Sequence, residues 1–414
     1  MPHHASGGTH GFSTSRQDPA QRQWPGLAGA IEFQHLGVCG FAMLTSENFW
    51  PRWLSFRSRP HAGQLHRRGF FSRGVRRSKK AILNLSHRKL HESASFDLKP
   101  GPRLAPASTW AYQLQGIVKE RVAQCSADVV VIDTTSDGNA DQAFIKADVM
   151  LMQTRPKAPP KKVIAYMSIG EAEAKRFYWQ DRWLLRGKPA KDAPAWLADL
   201  NGEGWEGNFK VRFWEPAWQA IIIDNEKSFL NRIIDAGFDG VYLDIIDAYD
   251  FWMDDDRGKS RRPTADAEMV AFVQRIAHHA REVRGVKNFA IVPQNGEPLL
   301  QYPEYRAAIS AIGKEDILFK MHGQANKQPK IASNSAAEVE TIMTHLRLAL
   351  ADRIPILAVE YLCDRKSDEA KIPAALTRMC QFGLVPHFGT RLLSILSPVV
   401  SPARNPGTSG VPVS

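Results

Sequence analysis

From Trp110 onward the chain repeats one texture: a short apolar run rich in β-branched and aromatic residues, then a longer stretch with helical periodicity. The runs are WAYQLQ (110–115), VVVID (129–133), VIAYMS (163–168), KVRFW (210–214), GVYLD (240–244), FAIVPQ (289–294), AISAIG (308–313), PILAVEYL (355–362) and LVPHFG (384–389). The clearest helical stretches are 216–236, 264–284, 335–353 and 367–382. Ser335 with Glu338 three residues later has the form of a capping box. In DAGFDG (235–240), Gly237 ends a helix and the chain passes at once into a strand. Strands alternating with helices pair in parallel, because each crossover helix returns the chain in the same direction. Eight such units close into a barrel of about 250 residues or more, and 110–396 is of that size. The expected fold class is α/β, a (β/α)8 TIM barrel. Nine runs compete for eight places, and KVRFW is the weakest because it emerges from a loop rich in Gly and Trp. An open doubly wound sheet is the alternative; it usually brings a nucleotide-type Gly-rich first turn, and none follows an early strand.

Charge divides the chain at the same place. The net charge of +11 would suit a nucleic-acid binder, but residues 1–100 hold 15 Lys and Arg against 5 Asp and Glu, and the remainder holds 39 against 38. The barrel therefore has no bulk electrostatic reason to bind nucleic acid. The first segment, with clusters such as HRRGFFSRGVRRSKK (66–80), sustains no hydrophobic periodicity. It reads as a disordered basic tail and linker over 1–105, ahead of a barrel over 106–398 and a flexible C-terminal tail over 399–414. LGVCGFAML (36–44) has the length of a signal-peptide core but starts deep in the chain, with no small-x-small site directly after it, and it is too short to span a membrane. Cys39, Cys125, Cys363 and Cys380 include no CxxC pair; the last three read as small buried hydrophobes.

The usual nucleotide and hydrolase signatures are missing. GEGWEG (202–207) fits GxGxxG literally, but no apolar strand precedes it and its two glutamates would repel a pyrophosphate. There is no Walker motif, HExxH or GxSxG. What the strand ends carry instead is carboxylate: Asp133 after the second run, Glu171 and Glu173 after the third, Asp244 and Asp247 after GVYLD, Gln294 and Asn295 after FAIVP, Glu315 after AISAIG, and Glu360 with Tyr361 at the end of PILAVEYL. In a parallel barrel the working residues come from these C-terminal strand ends. Two positioned carboxylates suffice for glycoside hydrolysis, one protonating the leaving oxygen while the other attacks or activates water. Sugar sites also want flat aromatic faces. Six of the 11 Trp lie within 179–218: Trp214 is a candidate contact, Trp179, Trp183 and Trp205 a candidate groove wall, and Trp218 a core residue. Asp133, Glu171, Asp247, Asn295, Glu360 and Tyr361 are the other candidate substrate contacts. Asp250 and the run Asp254–Asp256 read as supporting or solvated acids, and His387 as a packed barrel histidine. No ligand spacing demands a metal, and no cofactor is expected.

Residues 110–396 resemble glycoside hydrolase family 114, the endo-α-1,4-polygalactosaminidase-like barrels. The resemblance is carried by WAYQLQ as first strand, VIAYMSIGEAE (163–173), WEPAW (214–218), GFDGVYLDIIDAY (237–249) and PILAVEYL (355–362). It implies an endo-acting glycosidase working on a polysaccharide or oligosaccharide, with the acid ending the fourth strand and a glutamate ending the sixth as the catalytic pair, here Asp244 and Glu315. It also implies a secreted or periplasmic protein. The family places Asn directly after the strand-four Asp, where this chain has Ile245, and a Cys-containing loop after the strand-six Glu, which this chain lacks. If the reaction retains configuration, Asp244 is expected as nucleophile and Glu315 as the protonated acid/base. The competing expectations are a carbohydrate-binding barrel without turnover and a metal-assisted hydrolase of a non-sugar substrate. No membrane span is expected, and the barrel is expected to be a monomer.

The charge split generates the first prediction. A chain beginning near Pro106 folds cooperatively without the basic segment, as checked by circular dichroism and a single denaturant transition; its collapse would show that the first hundred residues belong to the folded unit.

Overall fold

The computed structural model describes residues 100–399, apart from 105–108, 156–157, 201–206, 254–261 and 323–329. The expected basic tail up to residue 99, the segment from 400 on, Cys39, Trp205 and the run Asp254–Asp256 lie outside the described residues.

Eight strands form a (β/α)8 TIM barrel: β1 Trp110–Gln113, β2 Val129–Ile132, β3 Lys162–Ser168, β4 Gly240–Asp244, β5 Ala290–Pro293, β6 Ile312–Glu315, β7 Ile356–Glu360 and β8 Val385–Phe388. All neighbouring pairs from β1 to β5 and from β6 to β8 are parallel. Between β5 and β6 the ladder continues through a parallel bridge from Gln294 to Gly313 and the Asn295 N–H donating to the Gly313 carbonyl at 2.9 Å. Between β8 and β1 the Trp110 indole N–H donates to the Val385 carbonyl at 2.9 Å. The intervening helices include α1 Lys119–Gln124, α2 Lys146–Gln153, α3 Phe229–Asp235, α4 Ala265–His278, α5 Pro303–Ala308, α6 Ala336–Ala351 and α7 Ile372–Gln381.

Period-two alternation explains why the strands read as continuous apolar runs: both faces are buried. Trp110, Tyr112, Val129, Val131, Ile164, Tyr166, Tyr242, Val292, Leu357 and Val359 fill the lumen as one cluster. Their alternates, among them Ala111, Val130, Ala165, Val241, Ile291 and Ala358, pack outward against the helices. The lumen is tight. A Cβ on Gly313 would stand 2.1 Å from the Tyr242 hydroxyl, so β6 carries a glycine there.

KVRFW takes no barrel place. Asn208–Val211 pairs antiparallel with Glu171–Glu173 and with Leu197–Leu200 in a small side sheet within the connection from β3 to β4. The tryptophans of that connection pack on one another: Trp179 on Trp183, Trp183 on Trp196 and Trp196 on Trp218, with ring centroids 5.4, 5.2 and 4.9 Å apart. Trp183 is buried there, so it is core rather than groove wall. Trp218 is core as expected, its indole N–H donating to the Ile169 carbonyl. The helix expected over 216–236 breaks in two: Pro216–Gln219 runs into a π-helical turn, and Ser228 starts α3 afresh by accepting the Asn231 N–H. The Ser335–Glu338 capping box is present at the start of α6. Cys125, Cys363 and Cys380 are free and half-buried. No helix among the described residues is long and apolar enough to cross a membrane.

Part of the expected linker is seated on the barrel. Gly101 N–H donates to the Ala307 carbonyl and Leu104 N–H to the Ser310 carbonyl, at 2.8 and 3.0 Å. The Arg103 guanidinium donates to the carbonyls of Arg306 and Ile309. Leu104 joins the lumen cluster beside the strand starts, closing the N-terminal end of the barrel. Burying a leucine stabilises by about 1.5–3 kcal/mol. A chain starting at Pro100 therefore unfolds at a higher urea concentration than one starting at Pro106, although both fold. Equal midpoints would show that the segment contributes nothing.

Candidate active site

The lumen changes from apolar to ionisable at its C-terminal end. Asp244 ends β4 and Glu315 ends β6, both in register with the inward-facing residues Tyr242 and Gly313. Directly after β4, β5 and β6 the backbone takes left-handed values at Ile245, Asn295 and Asp316, with φ of 57°, 58° and 57°. Asn and Asp tolerate this region, whereas a β-branched Ile is uncommon in it. The chain turns sharply off each strand here.

Glu315 is held at both oxygens. Asn295 Nδ2 donates to Oε1 at 2.9 Å, and the Tyr361 hydroxyl donates to Oε2 at 2.6 Å. The Arg391 guanidinium lies over the Tyr361 ring, 4.8 Å from its centroid. Asp244 has a different setting: its Oδ2 accepts the Tyr166 hydroxyl at 2.6 Å, and the residue is 1% exposed. Burial pushes the Asp244 carboxyl well above the ordinary range. The Tyr166 hydrogen bond opposes this, and the charge of Glu315 adds to it. The same burial, with Asp244 and Glu315 close by, keeps the phenols of Tyr166 and Tyr361 protonated. The site thus combines two carboxyl groups with two phenol donors in a desolvated mouth, and burial raises the proton affinity of Asp244 there.

Around this centre lies a second ring of charge. Half-buried Asp247 has a carboxyl pushed up to about 7, by burial first; Lys314 opposes, while Glu315, Asp250 and Glu297 add. Lys314 Nζ lies 3.5 Å from Glu297 Oε2 and donates to Asn295 Oδ1 at 3.2 Å. Asp133 is gripped by Arg176 through two bonds of 2.8 Å, and Arg176 also donates to Glu173 at 2.7 and 3.1 Å. Burial raises the Asp133 carboxyl, but the Arg176 charge and hydrogen bonds outweigh it, and the net direction is down. Glu171 Oε1 lies 3.6 Å from Lys210 Nζ.

Of the residues expected from sequence, Glu315, Asn295 and Tyr361 form one hydrogen-bonded cluster, and Asp244 is near enough to feel the charge of Glu315. Asp247 borders it through charge. Asp133 and Glu171 sit in ion pairs with Arg176 and Lys210. Glu360 has the opposite parity to Val359 and Tyr361 and faces the helical layer. There its Oε1 accepts the Leu318 N–H at 2.7 Å, and burial, then Asp316, push it well above the ordinary range. It braces the loop after β6 and does not converge with Asp244 and Glu315 on the cleft. Trp214 packs edge-to-face on Trp252 and under the Arg262 guanidinium. His387 is a packed residue on Trp110, its imidazole pushed down to about 4 by burial. Sequence reasoning missed Tyr166, which alternation from Ile164 would have placed in the lumen. It also missed Arg176, whose partner Asp133 lies 43 residues away. Among the described residues no three His, Cys, Asp or Glu side chains are grouped as a metal ion would need.

The raised Asp247 carboxyl predicts a pH dependence. An acid whose folded value is above its unfolded value binds its proton more tightly in the fold. Its ionisation therefore lowers stability as pH climbs from about 4 through 7, with no further loss above that. Asp247→Asn gains stability relative to wild type across that window and keeps a constant difference beyond it, as read from urea midpoints at several pH values.

The comparisons agree with the barrel fold. The profile of glycoside-hydrolase family GH114 matches residues 93–381. An uncharacterized protein of Deinococcus radiodurans is 35% identical over 298 residues, which is 71% of this chain and 84% of that one. An uncharacterized protein of Methanocaldococcus jannaschii is 37% identical over 203 residues, 49% of this chain and 53% of that one. The glycoside hydrolase domain of PelA from Pseudomonas aeruginosa has the same fold, with a TM-score of 0.51 at 21% identity over 71% of this chain and 98% of that domain. With a family profile spanning most of its length and a barrel whose mouth holds paired carboxyl groups, this chain belongs to glycoside-hydrolase family GH114.

Proposed function

We propose that the protein is an endo-acting glycosidase of a polysaccharide, using Asp244 and Glu315 as its pair of carboxyl groups. The observation that carries this is their arrangement: two buried acids from strands β4 and β6, each bonded to its own tyrosine, in one mouth. Their environments divide the labour. Asp244, whose carboxyl is pushed well above the ordinary range by burial, is the acid that gives its proton to the leaving oxygen. Glu315 has both oxygens accepting hydrogen bonds, which orients it as the carboxylate that attacks the anomeric carbon or activates water there. These roles reverse the expectation drawn from the sequence. The family resemblance makes galactosamine and N-acetylgalactosamine polymers the first substrates to try.

The test is a reducing-end assay on a polysaccharide panel that includes those polymers, with product sizes read by chromatography. Endo action releases oligosaccharides of mixed length. Asp244→Asn loses about 10²–10⁴-fold on polymers but much less on aryl glycosides with good leaving groups, which barely need protonation. Glu315→Gln loses turnover on both. Polymer binding with no reducing ends released would instead favour a carbohydrate-binding barrel.

A further inference from the structure

Glu315 has a neighbour that the proposed chemistry does not use. Lys314 points the other way from β6 and is enclosed beneath the loops that follow β4 and β5, its side chain 12% exposed. Its ammonium meets Glu297 at 3.5 Å and the Asn295 side-chain carbonyl at 3.2 Å. The other end of that same amide, Nδ2, donates to Glu315 Oε1 at 2.9 Å. The Glu315 N–H also faces Asn295 Oδ1, at 3.5 Å.

An asparagine amide has a donor end and an acceptor end, and either can be presented by a half-turn of the group. Here the half-turn is blocked. An ammonium offers donors only, so turning the NH2 toward Lys314 would set donor against donor. The same turn would set the Asn295 carbonyl against the Glu315 carboxylate. We propose that Lys314 is a positioning residue: by holding the Asn295 carbonyl, it fixes the amide so that an N–H always faces Glu315, and so it sets the orientation and charge balance of that carboxylate. The inference rests on Glu315 as a member of the catalytic pair. Burial alone would favour the neutral amine, but the charges of Glu297, then Glu315, Asp316 and Asp247, outweigh it and keep the ammonium charged.

The experiment has two arms. In the first, kcat and KM are measured for Lys314→Met, Asn295→Ala and the double variant on a polymer that wild type cleaves. Each single variant is expected to lose roughly tenfold or more in kcat with little change in KM, and the double variant to be no worse than Asn295→Ala alone. Multiplying losses would overturn the proposal, since Lys314 would then act otherwise than through Asn295. The second arm needs no turnover. The Asn295 side-chain amide signals in a nitrogen–proton NMR spectrum, assigned by their loss in Asn295→Ala, are expected to move toward those of a free amide in Lys314→Met. Lys314→Gln, whose amide can accept as well as donate, is the second variant should Met disturb folding, and is expected to move them in the same direction. Unmoved signals in a folded variant would overturn the proposal. If wild type cleaves no glycan, the glycosidase reading fails, while the second arm still decides whether Lys314 orients Asn295.

Discussion

The closed lumen is the constraint on which the rest depends. Trp110, Tyr112 and Tyr242 stack inside the barrel with ring centroids 5.1 to 6.3 Å apart, and Tyr166 joins the same cluster. This aromatic floor leaves little water beneath the mouth, so an acid placed above it loses hydration that nothing apolar restores. Each carboxyl is therefore met by a phenol rising from the lumen face: Tyr166 for Asp244 and Tyr361 for Glu315. Desolvation raises the proton affinity of Asp244, and like charge nearby makes it hard for both groups to ionise together. A pair of acids that differ in environment is what acid-assisted hydrolysis needs.

Outside that floor, several other acids hold loops in place. Asp133, Arg176 and Glu173 lock the loop after β2 to the side sheet after β3. Removing one partner from such a buried network costs about 3–5 kcal/mol, because the other is left charged and unpaired. Glu360 does similar work for the loop after β6, taking backbone N–H groups that would otherwise be unpaired. Acids at a barrel mouth thus divide by parity and partner: those facing inward onto tyrosines form the centre, and those facing outward or onto Arg hold the loops.

The strand pattern was legible because eight strands buried on both faces cannot hide their apolar character. The least legible was β6. The sequence run ends at Gly313, whereas the strand is Ile312–Glu315. Three of its four residues are not apolar wall: Gly313 makes room for Tyr242, Lys314 meets Asn295, and Glu315 belongs to the site. The apolar pattern by which a strand is recognised is therefore missing from most of β6. The strand-end position found Asp244, Asn295 and Tyr361. Glu360 read the same way because a sequence does not say where a strand ends, and one residue of register decides which face a side chain takes. Trp183 misled for a different reason: it lies in a long connection whose tryptophans pack on one another, and only the packing shows this.

Two segments near the limits of the barrel meet it on different faces. Residues 101–104 are bonded to the N-terminal end of the barrel, beside Ala307 and Ser310. Near the other limit, the Leu393 carbonyl accepts the N–H groups of Leu114 and Gln115, just past the C-terminal end of β1 and on the side of the mouth that holds the carboxyl pair. For anyone immobilising this protein, the choice of attachment point is then a choice of orientation. A support bonded beside residues 101–104 lies on the face away from the carboxyl pair and leaves the mouth open to the solution, where a long glycan can reach it. A support bonded beside Leu393 lies on the same side as the mouth and sits beside the path of a polymer.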